Sequence, residues 1–344
     1  MSSTGRSSRR RWRTLGDAEL LELPIDSLGL RSNHGTLGPR IDGLMADLKR
    51  CEIRLRPHVW LSTDWFSPDG VPGIALPFYL GDPRLVKLER TQMLWAEGST
   101  AKECTALLRH EAGHAVDTAF HLSRRAIYRQ TFGKRSETYR RRYVVEPRSQ
   151  DFVQHLDRWY AQSHPAEDFA ETFAVWLGSR GRWRARYGGT EAGRKLEVLD
   201  ELMDSIRGER ASVSSREECE PVGKLGITLG EHYRARRRKH RREATPPFDS
   251  ALQKNFHPGR PWIRNAKAAQ LLQRDRKSLA QQAAEALNCD AYTCDQVIGW
   301  MIQHARELGL GEPLQSGAFA LDTLIPMIRS TLRALARGGT KLSR

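Results

Sequence analysis

Leu107-Leu-Arg-His-Glu-Ala-Gly-His-Ala-Val-Asp117 is the stretch around which this chain is organised. It contains His110-Glu111-Ala112-Gly113-His114, the pattern H-E-x-x-H. On an α-helix, two histidines four apart stand one turn above each other on one face. Two imidazoles so placed can chelate one Zn2+, with the intervening glutamate beside the open coordination position. A chain this long shows the pentapeptide by accident on the order of 1% of the time, so its surroundings decide. Upstream, Thr100 and Glu103 form a capping box. Cys104, Leu107, Leu108, Ala112, Val116 and Phe120 then recur at helical spacing. The spacing predicts one well-capped helix over residues 100–120, with both histidines inside it.

A catalytic zinc of this type takes three protein ligands and keeps a fourth position open. One version of the motif places a third histidine ten residues after the first. Here that position is Phe120, and His121 is one residue out of register. The other version takes a glutamate from a second helix further along. Ser163-His164-Pro165 reads as a helix start with proline in the first turn. Phe169, Ala170, Phe173, Trp176 and Leu177 give the helix over 166–177 its apolar face. Glu167 and Glu171 lie four apart on one face near the positive N-terminal end. Glu167 fits the third ligand, leaving Glu171 to accept a hydrogen bond from the outer nitrogen of a ligand histidine. The alternative exchanges the two, with Glu171 as ligand. His121, His155 and His164 read as surface residues.

His-Glu-Ala-Gly-His-Ala-Val-Asp (110–117), Tyr160 and Glu167-Asp-Phe-Ala-Glu-Thr-Phe-Ala174 together resemble the bacterial zinc-binding metallopeptidases. More distantly they resemble the catalytic domains of the anthrax lethal factor and Pro-Pro endopeptidase group. The likeness covers about residues 25–208. It implies an α+β, zincin-like domain of the gluzincin type, with a small sheet and two site-bearing helices. It implies Zn2+ as cofactor, His110, His114 and Glu167 as its ligands, and Glu111 as general base. It also implies Glu171 as support for a histidine, and Tyr160, seven residues before Glu167, as an assisting group facing the substrate. Asp117 reads as a helix-face hydrogen-bond partner in the tier behind the ligands. The implied activity is hydrolysis of a peptide or protein substrate.

Around this site the 344 residues divide by composition. Residues 1–24 are Ser/Arg-rich and read as disordered. Residues 25–210 hold the metallopeptidase-like domain, 211–250 a basic linker, and 251–344 an all-α C-terminal module. Within the first domain, helices are predicted over 39–51 and 82–95, and strands over 59–62 and 73–80, the second at a sheet edge because of Pro77. Residues 121–150 form an Arg-dense insertion with a short helix around 138–142. Three helices are predicted in the module, over 268–287, 293–308 and 321–336, and the short turn between the first two allows a helix-turn-helix.

With 39% hydrophobic residues the chain can bury a core. It carries 56 Lys and Arg against 41 Asp and Glu, and the excess concentrates in residues 221–344, with 21 basic and 10 acidic side chains. That basic last third suits an anionic partner such as nucleic acid or an acidic protein. Five scattered cysteines are a reduced, cytoplasmic pattern. No run is long and apolar enough for a membrane span. Two other functions fit the sequence: a DNA-associated regulator carrying a metallopeptidase-like domain, and a catalytically silent zinc-binding interaction module.

Overall fold

The computed structural model describes residues 12–33, 35–93, 96–139, 142–240, 246–259, 261, 266–289, 291–314, 321–336 and 342–343. They gather into two hydrophobic cores. The first is α+β. It holds α1 (Asp17–Leu21), α2 (Leu37–Arg50), β1 (His58–Ser62), β2 (Gly73–Pro77), α3 (Pro83–Met93), α4 (Ala101–Phe120), α5 (Ala126–Thr131), α6 (Pro165–Ser179), α7 (Trp183–Tyr187), α8 (Glu191–Asp204) and α9 (Leu229–His240). The second is helical. It holds α10 (Asp249–Asn255), α11 (Lys267–Leu287), α12 (Ala291–Leu308) and α13 (Leu321–Ala336), together with Tyr143, Val145 and Trp159.

Helix α4 forms where its cap and apolar spacing place it. Thr100 Oγ1 accepts from Glu103 N at 3.2 Å. The helix stops at His121, whose φ of 51° is left-handed. From His110 to Phe120 every residue of α4 is buried, so this is a central helix of the core. Removing the cap by Thr100→Ala is expected to cost about 1 kcal/mol of stability, read as a lowered urea midpoint with an unchanged slope.

Helix α6 crosses α4 closely. A Cβ added at Gly113 would lie 2.9 Å from Ala170 Cα and 3.2 Å from Phe173 Cβ. The missing side chain at Gly113 therefore sets the approach of the two helices. Asp47 on α2 braces the pair: Arg109 of α4 binds it at 2.6 Å, and Arg50, which also binds it, donates to Leu177 O of α6 at 3.0 Å.

The sheet is small, as expected. β1 and β2 run parallel, with Trp60 opposite Ala75. The far side of β2 is bridged antiparallel by Phe66, and every residue of β2 is buried. β2 is thus an outer strand of a two-stranded sheet, as Pro77 implies, with Phe66 covering its free side at one residue. Pro77 is accommodated because it is the last residue of the strand.

Three segments that composition alone set apart carry structure. Within 1–24, Trp12 and Leu20 are buried in the first core, and Trp12 Nε1 donates to Leu28 O at 3.1 Å; residues 1–11 lie outside the described residues. Within 211–250, Leu229 and Tyr233 of α9 are fully buried in the same core. Part of the basic run is spent internally, since Arg236 pairs with buried Glu89 at 2.6 Å and Arg237 donates to Gln92 Oε1 at 2.7 Å. In the insertion the helix forms at Ala126–Thr131, ahead of the expected 138–142, where residues 140 and 141 lie outside the described residues.

The helix that would enter a DNA groove, α12, is packed away. Thr293, Gln296, Val297, Ile298, Met301 and Ile302 are all buried. Together with the internal pairing of Arg236 and Arg237, this leaves a nucleic-acid partner unsupported. Among the described residues no helix is long and apolar enough to cross a membrane.

Candidate metal centre

Each ligand candidate is placed by its helix. His110 and His114 share the face of α4 that meets α6, and Glu167 lies in the first turn of α6. That turn starts at His164, whose Nδ1 accepts from Ala166 N at 3.1 Å, followed by Pro165. His110 Nε2 stands 3.0 Å from Glu167 Oε2 and 3.2 Å from His114 Nε2. His114 Nε2 stands 3.2 Å from the same Oε2. These three atoms make a nearly equilateral triangle. Tetrahedral zinc, with bonds of about 2.0–2.1 Å, spaces its ligand atoms about 3.3 Å apart. Two imidazoles and a carboxylate are also a donor set that zinc takes. Among the described residues this is the one group of three or more His, Cys, Asp or Glu side chains able to meet at a single ion.

The two glutamates of α6 meet the histidines differently. Glu167 faces the inner nitrogens of both. Glu171, 1% exposed, meets the outer nitrogen of His110, Nδ1, at 2.7 Å. Its second oxygen accepts from Leu156 N at 2.8 Å. Nδ1–H donating to Glu171 turns the Nε2 of His110 toward the triangle.

Burial works against every charge here, and the neighbours decide the outcome. Burial pushes Glu167 up, but the two imidazoles hold it well below the usual carboxylate range. Burial pushes His110 down, but Glu167 and Glu171 hold it well above an ordinary histidine. Glu111 is the exception. Burial raises its carboxyl despite His110 and His114, and its Oε2 is buried with no hydrogen-bond partner among the described residues. An unpartnered buried oxygen beside the triangle is what a water or a substrate proton would satisfy.

The raised His110 sets a pH dependence. Glu167 and Glu171 let this imidazole hold a proton to higher pH than an ordinary histidine, and binding a metal at Nε2 must expel it. Zinc affinity is expected to rise with pH, by up to about tenfold per unit while that proton is held. Chelator competition at three pH values measures the slope, and a flat line would contradict it. The same shift stabilises the metal-free fold below about pH 6.5, the ordinary histidine value. That contribution is lost as pH rises through the folded value.

Tyr160 joins the group through its ring, 5.6 Å from that of His110. It stands in a short 3-10 turn, Asp157–Gln162, that leads into α6. Asp117 does not join it. Buried on α4, it accepts from Ser123 N at 2.7 Å and pairs with Arg135, which also reaches Asp69. It anchors the Arg-dense insertion. His164 and His155 are likewise not free surface residues. His164 caps α6 and stacks on Tyr139 at 3.6 Å, and His155 Nε2 bonds Ala106 O at 3.0 Å. The pair His164-Pro165 at a helix start was a readable capping signal; Gly113 and Leu156 carried none.

Two helices bring two imidazoles and a carboxylate to one point, beside a second buried carboxylate, and the three could hold a metal ion. Residues 89–185 match the family described as "Putative zinc-binding metallo-peptidase". The matched segment contains α4 and α6 and so every residue of the triangle. No curated protein and no solved structure matches the chain. The more distant likeness to the lethal factor and Pro-Pro endopeptidase domains is not shown by these matches.

Proposed function

We propose that the chain is a zinc-dependent metallopeptidase that cleaves peptide bonds in a peptide or protein substrate. The observation that carries this is the convergence of His110, His114 and Glu167 beside the buried, unpartnered Glu111 oxygen. The family match over 89–185 supports it. His110, His114 and Glu167 would hold the metal. Zn2+ bound there supplies Lewis acidity toward the scissile carbonyl and lowers the pKa of the attacking water toward ~7. Glu111 takes the proton of that water and returns it to the leaving amine, a role its raised pKa suits. Glu171 keeps His110 in the tautomer with Nε2 free. The Tyr160 hydroxyl donates to the oxyanion that develops on the carbonyl.

Elemental analysis of pure protein and cleavage of a peptide library test this. About one zinc per chain is expected, with cleavage lost on chelation and restored by added zinc. Less than half an equivalent of zinc, or cleavage indifferent to chelator, would sink the proposal. Stoichiometric zinc without cleavage would instead make the domain a silent zinc-binding module.

A further inference from the structure

The helical C-terminal core touches the metal centre through a short strap, residues 155–160, which leads into α6. Three polar side chains of α12 grip it. Tyr292 Oη donates to Leu156 O at 2.8 Å. Gln296, 4% exposed, accepts from Arg158 N and donates through Nε2 to Asp157 Oδ1 at 3.1 Å. Gln303 Oε1 accepts from Arg158 Nη2 at 2.6 Å. Spacings of four and seven put all three on one face of the helix. Tyr143, in the same core, donates through its hydroxyl to Arg158 O at 2.8 Å.

The strap needs such a grip. Arg158 (φ 64°) and Trp159 (φ 52°) are consecutive left-handed residues, and neither is glycine. L side chains disfavour that conformation, and it persists only where the surroundings over-determine it. Trp159 is held by burial among the residues of the C-terminal core.

The other side of the strap faces the metal centre. Leu156 N donates to Glu171 Oε2, and Glu171 Oε1 holds His110 Nδ1. Tyr160 follows Trp159 directly, and its ring stands tilted 5.6 Å from that of His110. A hydrogen-bonded path therefore runs from Tyr292 through Leu156 and Glu171 to a ligand candidate.

We infer that α12 is a positioning element of the metal centre. Tyr292 and Gln296 hold the left-handed strap and, through Leu156 and Tyr160, fix the orientation of His110 and of the tyrosine hydroxyl. The part concerning Tyr160 rests on the metallopeptidase proposal; the part concerning His110 rests on the geometry of the triangle alone.

The test uses the full chain with Tyr292→Phe, which removes one hydroxyl and keeps the ring, and with Gln296→Ala. In the metal-free protein, backbone hydrogen exchange over residues 155–160 is expected to quicken about tenfold or more, with α4 unchanged. Zinc affinity should fall about threefold to tenfold. Outer partners of ligand histidines are worth about 10–100-fold, and Tyr292 acts one bond further out. kcat should fall while KM stays near its native value. Unchanged strap exchange together with unchanged zinc affinity in folded Tyr292→Phe would overturn the inference. Should the native chain cleave nothing while exchange and affinity still respond, the peptidase proposal fails and the positioning role stands.

Discussion

Glu111→Gln is expected to bind zinc as tightly as the native chain and to cleave peptides about 10²–10⁴-fold more slowly. The two halves of that result come from different atoms. On the proposed reading zinc is held by the Nε2 atoms of His110 and His114 and a carboxylate oxygen of Glu167, and none of these belongs to residue 111. Proton transfer needs a carboxylate that can accept and later release a proton. Glutamine keeps the size of the side chain and can still hydrogen-bond, but it cannot do that. The raised pKa of Glu111, caused by burial, brings it nearer the operating range of a base at neutral pH. The measurement is kcat/KM beside zinc stoichiometry on the same samples. Equal cleavage by native and variant protein would remove Glu111 from the role of base. A variant that also lost zinc would show that the substitution disturbed the site, and the comparison would pass to Glu111→Asp.

Gly113→Ala should destabilise the chain by about 1–3 kcal/mol, the usual cost of overpacking a filled core. The sign of this effect is informative. At an ordinary buried or exposed helix position the same substitution is favourable by about 1 kcal/mol, because alanine loses less backbone entropy. Here the new Cβ would sit 2.9 Å from the Cα of Ala170. A backbone atom cannot swing aside as a flexible side chain can, so α4 and α6 must separate. The ligand candidates are divided between those two helices, with both histidines on α4 and the carboxylate on α6. Separation stretches the triangle, and zinc affinity should fall about tenfold, comparable to disturbing a partner of a ligand. Urea unfolding of the metal-free protein gives the first quantity and chelator competition the second. A variant more stable than the native chain would show that the crossing has slack and that Gly113 is not what sets it.

Both results bear on a site whose parts were unequally visible. The helix carrying His110 and His114 is expected over 100–120 from its cap and its apolar spacing, and it is found at Ala101–Phe120. The second helix, expected over 166–177, is found at Pro165–Ser179. Capping and helical periodicity act between residues three or four apart, so they can be read from the chain one turn at a time. The same local reasoning failed where a charged run was paired from far away. Buried Glu89 takes an arginine from the run read as a basic linker, 147 positions further along the chain.

By itself, then, the sequence determined the chemistry on offer: two imidazoles one turn apart, a glutamate between them, and two carboxylates one turn apart on a second helix. Tertiary structure decided how those groups are shared out. Glu167 and Glu171 occupy one face of α6, and only the close crossing at Gly113 brings the first to the inner nitrogens and the second to the outer nitrogen of His110. It also turned Asp117 toward Arg135 and set α12 against the strap before α6. Those contacts join residues as much as 136 positions apart. Their partners are selected by packing across the whole core, which no local pattern encodes.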